Sequence, residues 1–130
     1  MRPHSRPTMD TTTLLETLCA TIDERRWEGL PALLHEDFVC RLVHTGETFD
    51  RERWVRLNAE YPGFDRMLIE DLVGAGDRAV ARCHVTGTAK GAPVAFEVAS
   101  FITARDGLVR ELTEVWADVG GSPPEGTRPT

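Results

Sequence analysis

The strongest constraint on this chain is its second half. From Met67 onward it reads as four stretches of period-two apolar patterning, Met67 to Val73, Arg78 to Ala89, Val94 to Ala104 and Leu108 to Val119. They are separated by Gly74-Ala75-Gly76-Asp77, Lys90-Gly91-Ala92-Pro93 and Arg105-Asp106-Gly107. Alternation of this kind belongs to strands that bury one face, and short Gly-containing turns belong to hairpins. Four such strands in succession demand an antiparallel sheet with one face covered.

The first half supplies the cover. Thr13-Leu14-Leu15-Glu16 reads as a capping box, and Leu14, Leu15, Leu18, Cys19 and Ile22 recur at helical spacing to about Arg25. Trp27 to His35 reads as a short second helix starting near Gly29, because Pro31 is tolerated only in a first turn. Phe38 to Val43 reads as a strand and 44–48 as a loop. Asp50 caps a third helix whose Trp54, Leu57, Asn58 and Tyr61 share a face, and Pro62-Gly63 ends it. Helices first and hairpins after give an α+β fold, a curved antiparallel sheet wrapped around N-terminal helices. The chain of 130 residues is 41% hydrophobic, which suits one core. Residues 1–10 read as a loose arm in which Met9 is an alternative start, 11–119 as one domain, and 120–130 as a tail.

Charge and composition exclude several classes. The net charge of −6 repels phosphate backbones, so nucleic acid is not an expected partner. No apolar run is long enough to span a membrane or to serve as a leader, which places the expected domain in the cytoplasm. The cysteines at 19, 40 and 83 and the histidines at 4, 35, 44 and 84 show no metal-ligand spacing, so no metal or cofactor is expected and the thiols read as small buried hydrophobes.

Strand parity locates the inner face. Ala79, Ala81, Cys83, Val85 and Gly87 form the small apolar set of one strand, and Val94, Phe96, Val98, Ser100 and Ile102 that of the next. A four-residue turn at 90–93 pairs Val85 with Val98. A three-residue loop at 105–107 pairs Ala104 with Leu108, and hence Ser100 with Leu112, Val98 with Glu114 and Phe96 with Trp116. Glu114 is then a carboxylate on an apolar inner face. A two-residue turn or a bulge would instead bring Val115 inside.

The residues also carry a resemblance. Ile22-Asp23-x3-Trp27-x2-Leu30-x2-Leu33-Leu34-x2-Asp37-Phe38, Gly76-Asp77-Arg78-Ala79-Val80-Ala81, Val85-Thr86-Gly87-Thr88 and Asp106-Gly107-Leu108-Val109-x4-Glu114-Val115-Trp116 resemble, in that order, the SnoaL-like group of the nuclear transport factor 2-like superfamily, over about residues 12–118. The resemblance implies a cone of helices on a curved sheet, open at one end, that often forms a homodimer through the outer sheet face. It implies an isomerase, cyclase or hydrolase acting on a small apolar carbonyl or polyketide-like compound by cofactor-free acid/base chemistry, or else a non-catalytic ligand-binding or dimerisation module. The ketosteroid isomerase pattern itself is not met. Its base falls near Arg41 or Leu42, its phenol donor near Leu18 and its second acid near Ser100, while its tryptophan is kept as Trp116.

The candidate catalytic residues are therefore Glu114, whose pKa a desolvated setting should raise, and His44 at the expected mouth. Candidate ligand contacts are Trp54, Asn58, Tyr61, Phe96, Val98, Ser100, Leu112 and Trp116. Asn58 and Tyr61 offer donors to a ligand oxygen. Each has a plainer role open to it: a structural carboxylate, an exposed loop histidine, core aromatics, or a serine satisfying the backbone. Arg82 and His84 belong to the outer face, and Trp27 to the seam between helix and sheet.

Overall fold

The computed structural model describes residues 10–129; residues 1–9 of the expected arm, with the Met9 start, lie outside them, and its last residue, Asp10, belongs to the cap of the first helix. In chain order the elements are α1 (Thr11–Asp23), two 3-10 turns (Trp27–Gly29 and Pro31–Leu33), β1 (Leu34–Leu42), β2 (Thr48–Asp50), α2 (Arg51–Ala59), β3 (Phe64–Ala75), β4 (Arg78–Ala89), β5 (Ala92–Arg105) and β6 (Leu108–Asp118). The strands form one sheet in the order β2-β1-β6-β5-β4-β3, antiparallel throughout except for β1 beside β6. The sheet is curved and unclosed. Helix α1 lies against β3 and β4, and α2 against β1 and β2.

Helix α1 starts earlier than its capping-box pattern suggests. Asp10, not Thr13, is the N-cap, and its carboxylate accepts from the Thr13 amide at 2.8 Å. A carboxylate at this position both satisfies a free amide and meets the positive end of the helix dipole, so it wins over a hydroxyl three residues on. At the other end Arg26 N–H donates to the Thr21 carbonyl and Arg25 N–H to that of Ile22, the paired bonds of a Schellman cap. The left-handed position usually held by glycine is Arg25, at φ 57°. Its guanidinium offsets that strain by donating to the Phe64 carbonyl at 3.2 Å and to the Asp65 carbonyl, and by lying 5.1 Å from the Phe64 ring centre. This fixes the end of α1 to the start of β3.

The expected short helix from Trp27 to His35 is instead two 3-10 turns, and Leu34 and His35 belong to β1. Pro31 opens the second turn and has no N–H to continue a helix through it. The expected loop holds at residues 44–47, but its last residue, Thr48, opens β2, a three-residue strand not expected from the sequence and paired with Val39, Cys40 and Arg41 of β1. Asp50 caps α2 as expected, accepting from the Arg53 amide at 2.9 Å.

The β4–β5 hairpin turns on two residues, not four. Lys90 and Gly91 have φ of 52° and 78°, and Ala89 pairs with Ala92. Both central residues at positive φ make the turn whose twist matches the strands. Val85 therefore faces Phe96, and Cys83 faces Val98. The slip from the expected register is two residues, so every side chain keeps its expected face.

The core fills the space between α1 and the inner sheet face: Leu14, Leu15, Leu18 and Leu30 above, Ala81, Cys83, Val98, Ile102 and Leu112 below, all at most 2% exposed. The outer face, which was expected to pair two copies, carries exposed Leu68, Val73, Phe101 and Val115 around an ion-paired group of Glu70, Arg82, His84 and Glu97.

Candidate functional site

Two departures from the expected β5–β6 hairpin decide where Glu114 points. The turn has two residues, Asp106 at φ 54° and Gly107 at φ 76°, and it closes on the pair Arg105 and Leu108. Alone, that turn would bring Val115 inside. One step up the hairpin the register shifts: Ala104 pairs with Val109, but Thr103 pairs with Glu111, so Arg110 is an extra residue. The bulge reverses the flip. Ser100 then faces Glu114 and Val98 faces Trp116, while Val115 is 42% exposed on the outer face. The expected pairs are each displaced by two residues, and the inward facing of Glu114 survives.

Glu114 is only 6% exposed. Leu42 of β1 and Ser100 of β5 flank it across the sheet. Ser100 Oγ donates to Glu114 Oε2 at 3.3 Å, and Trp116 Nε1 donates to Oε1 at 3.5 Å. Both bonds are long, no cation is among these contacts, and desolvation prevails. It pushes the carboxyl pKa up to about 7, against the smaller opposing pull of Trp116 and Ser100. At neutral pH the group therefore stands between its acid and its base forms.

Above Glu114 opens a cavity of about 840 Å³. Of the expected site residues, His44, Trp54, Asn58, Tyr61, Phe96, Glu114 and Trp116 line it. Val98, Ser100 and Leu112 do not; they face inward but are sealed beneath it, at most 2% exposed. Parity gives the face of a side chain and not its depth along the strand, which is why these three read as lining. Trp54 is 1% exposed and packs at 5.2 Å against Phe38, so it is wall and core together. Asn58 uses one N–H on the Trp54 carbonyl at 2.9 Å. Tyr61 lies beyond the end of α2 and is 59% exposed, at the rim. His44 is also exposed.

Several lining residues escaped the sequence reading. Trp27 and Phe64, 6.5 Å apart, form one wall, so Trp27 is more than a seam filler. Phe49 comes from the short β2, and Met67 and Val85 from β3 and β4. Their assembly depends on how the sheet curls, which local pattern does not encode. The mouth needs two glycines. A Cβ on Gly87 would stand 2.4 Å from the Gly63 carbonyl oxygen, and one on Gly63, whose φ is 79°, would stand 2.0 Å from the Thr88 oxygen. That close approach lets the Thr88 amide donate to Gly63 and joins the end of α2 to the sheet.

A possible ligand set for a metal ion lies elsewhere, on the outer face. Glu70, His84 and Glu97 offer atoms within 4.8 Å of one another, but Arg82 already bridges the two carboxylates at 2.9 and 2.6 Å. Spacing in the sequence could not reveal it, because its members come from three strands.

The family model of the SnoaL-like domain matches residues 15–112. The chain belongs to the SnoaL-like family. Among solved structures, a candidate ketosteroid isomerase from Kribbella flavida is 29% identical, with a TM-score of 0.78 over 88% of this chain and 82% of that one. IdmH, a candidate polyketide cyclase from Streptomyces antibioticus, is 22% identical, with a TM-score of 0.73 over 83% and 92%. An LEH-like epoxide hydrolase from M. tuberculosis is 14% identical, with a TM-score of 0.73 over 86% of each. No curated protein matches the sequence. The SnoaL-like chain thus has the nuclear transport factor 2-like fold, and its neighbours bear the names of different reactions.

Proposed function

We propose that this SnoaL-like protein binds a small apolar carbonyl compound in its cavity and moves a proton on it, with Glu114 as the acid and base. The observation that carries this reading is that, of the carboxyl groups lining the cavity, Glu114 alone is buried, with a pKa raised to about 7. A base held near ambient pH combines a populated ionised form with real proton affinity, which is what abstraction from a carbon beside a carbonyl needs. Ser100 and Trp116 hold the two carboxylate oxygens. The ketosteroid isomerase pattern itself is not met, its base falling near Arg41 or Leu42 and its second acid near Ser100, but Leu42 and Ser100 flank Glu114 on its two sides. On this reading the proton transfer is carried by the strand between those two positions.

A second reading, a binding module without catalysis, is favoured by one feature. No other titratable lining residue is buried, since His44, Glu47, Lys90 and Asp118 are all exposed.

Both are tested by proton exchange, which requires no knowledge of the natural reaction. A panel of enolisable apolar ketones in deuterated water is followed by NMR with the wild type and with Glu114→Gln. The acid–base reading expects exchange beside the carbonyl of at least one bound ketone, rising with pH through about 7 as the base ionises. It expects a loss of about 10²- to 10⁴-fold in Glu114→Gln with binding retained. Binding without exchange in the wild type supports the module, and exchange undiminished in Glu114→Gln removes Glu114 as the base.

A further inference from the structure

Behind the cavity lies a pair of groups that proton transfer does not use. Cys19 on the inner face of α1 and Cys83 on the inner face of β4 are both free thiols, at most 2% exposed, with Sγ atoms 3.8 Å apart. Cys40, the third thiol, is also fully buried, and no sulfur contact joins it to the other two.

We propose that Cys19 and Cys83 are an oxidation site, at which a peroxide converts the thiol pair into an intramolecular disulfide tying α1 to β4. The sulfurs already touch at 3.8 Å, on two elements that pack together, and the disulfide length is about 2.05 Å. The electronic setting is asymmetric. Either thiol can donate to the other sulfur; with Cys19 as the donor, the bond lowers the pKa of Cys83 and holds Cys19 up as a thiol.

The step follows that asymmetry. The Cys83 thiolate attacks one peroxide oxygen, the O–O bond breaks, and hydroxide leaves to become water. The resulting sulfenic acid is attacked by the Cys19 sulfur, the S–O bond breaks, and a second water leaves with the Cys19 proton. Two thiols are oxidised and one peroxide is reduced to two waters. Neither sulfur lines the cavity, but residues beside both do, so a small oxidant in the cavity would reach the pair by local opening of that wall. Ile22, one helical turn from Cys19, and Val85, the next inward residue after Cys83, both line the cavity. The bridge would join residues 64 apart in sequence, a separation at which a crosslink strongly restricts the unfolded chain.

The test is a thiol count and a peptide map on the whole chain. Reduced protein is treated with hydrogen peroxide, denatured, alkylated and digested. The expected result is a fall from three titratable thiols to one, a mass lower by two hydrogens, a linked pair of peptides holding Cys19 and Cys83, and alkylation of Cys40 alone. Cys40→Ser should form the same bridge, and the oxidised wild type should melt at a higher temperature than the reduced. Retention of all three thiols, a bridge that includes Cys40, or only disulfides between chains would overturn the proposal. The wild-type map decides the matter without any variant that might fail to fold, and its result is independent of whether Glu114 is catalytic.

Discussion

Glu114→Gln should make the protein more stable above neutral pH, by on the order of 3 kcal/mol at pH 8. The sign follows from linkage. The carboxyl pKa is 4.5 in the ordinary state and about 7 in the fold, so the folded protein holds its proton more tightly than the unfolded chain does. A raised carboxyl pKa contributes stability that is fully present below pH 4.5, falls away between 4.5 and 7, and leaves the native state carrying a desolvated anion above that. A shift of about 2.5 units corresponds to about 3 kcal/mol. Glutamine keeps the shape and both contacts, accepting from Trp116 and donating to Ser100. Thermal unfolding should show the variant near the wild type at pH 4.5 and about 10 °C above it at pH 8. Equal melting temperatures at both pH values would mean that the carboxyl group is hydrated in the folded protein.

Trp54→Ala should have the opposite sign and a similar or larger size, a loss of about 3–5 kcal/mol. Helix α2 has nine residues, too few to persist alone, and Trp54 is its one buried side chain. Removing the indole leaves Phe38 without its ring partner at 5.2 Å and opens the cavity into the core. Tyr61, read from the sequence as part of the same stripe, is 59% exposed, and Tyr61→Ala should cost no more than about 0.5 kcal/mol. Denaturant unfolding of the two variants measures both. Comparable small losses would show that α2 is held by contacts other than Trp54.

The same contrast marks the limit of what the sequence disclosed. Facing is a parity, and parity survived: the β4–β5 turn was two residues shorter than expected, and in β5–β6 a shorter turn and the bulge at Arg110 cancelled. That bulge was in principle visible, since Val109 and Leu112 are both buried and their spacing of three breaks alternation. Depth was not visible. Val98, Ser100 and Leu112 share the inner face with Phe96 and Trp116, yet lie under the cavity floor, because the curl of the sheet and the seat of α1 decide where the floor ends. The cavity walls at Trp27 and Phe49 come from a 3-10 turn and a three-residue strand with no period to read, and Phe64 opens β3 ahead of the apolar pattern that begins at Met67. Asp10 and Thr13 both suit an N-cap, and only the extra turn of helix distinguishes them.

The family was legible through several weak motifs in a fixed order. The reaction was not, because one carboxylate on an apolar wall suits several proton transfers. The central claim is the state of that carboxylate, and NMR titration of the Glu114 side-chain carboxyl carbon in the free protein tests it most directly. A midpoint near pH 7, moving when an apolar ketone binds, is the predicted result. A midpoint near 4.5 that no ligand moves would contradict it and leave Glu114 a structural group.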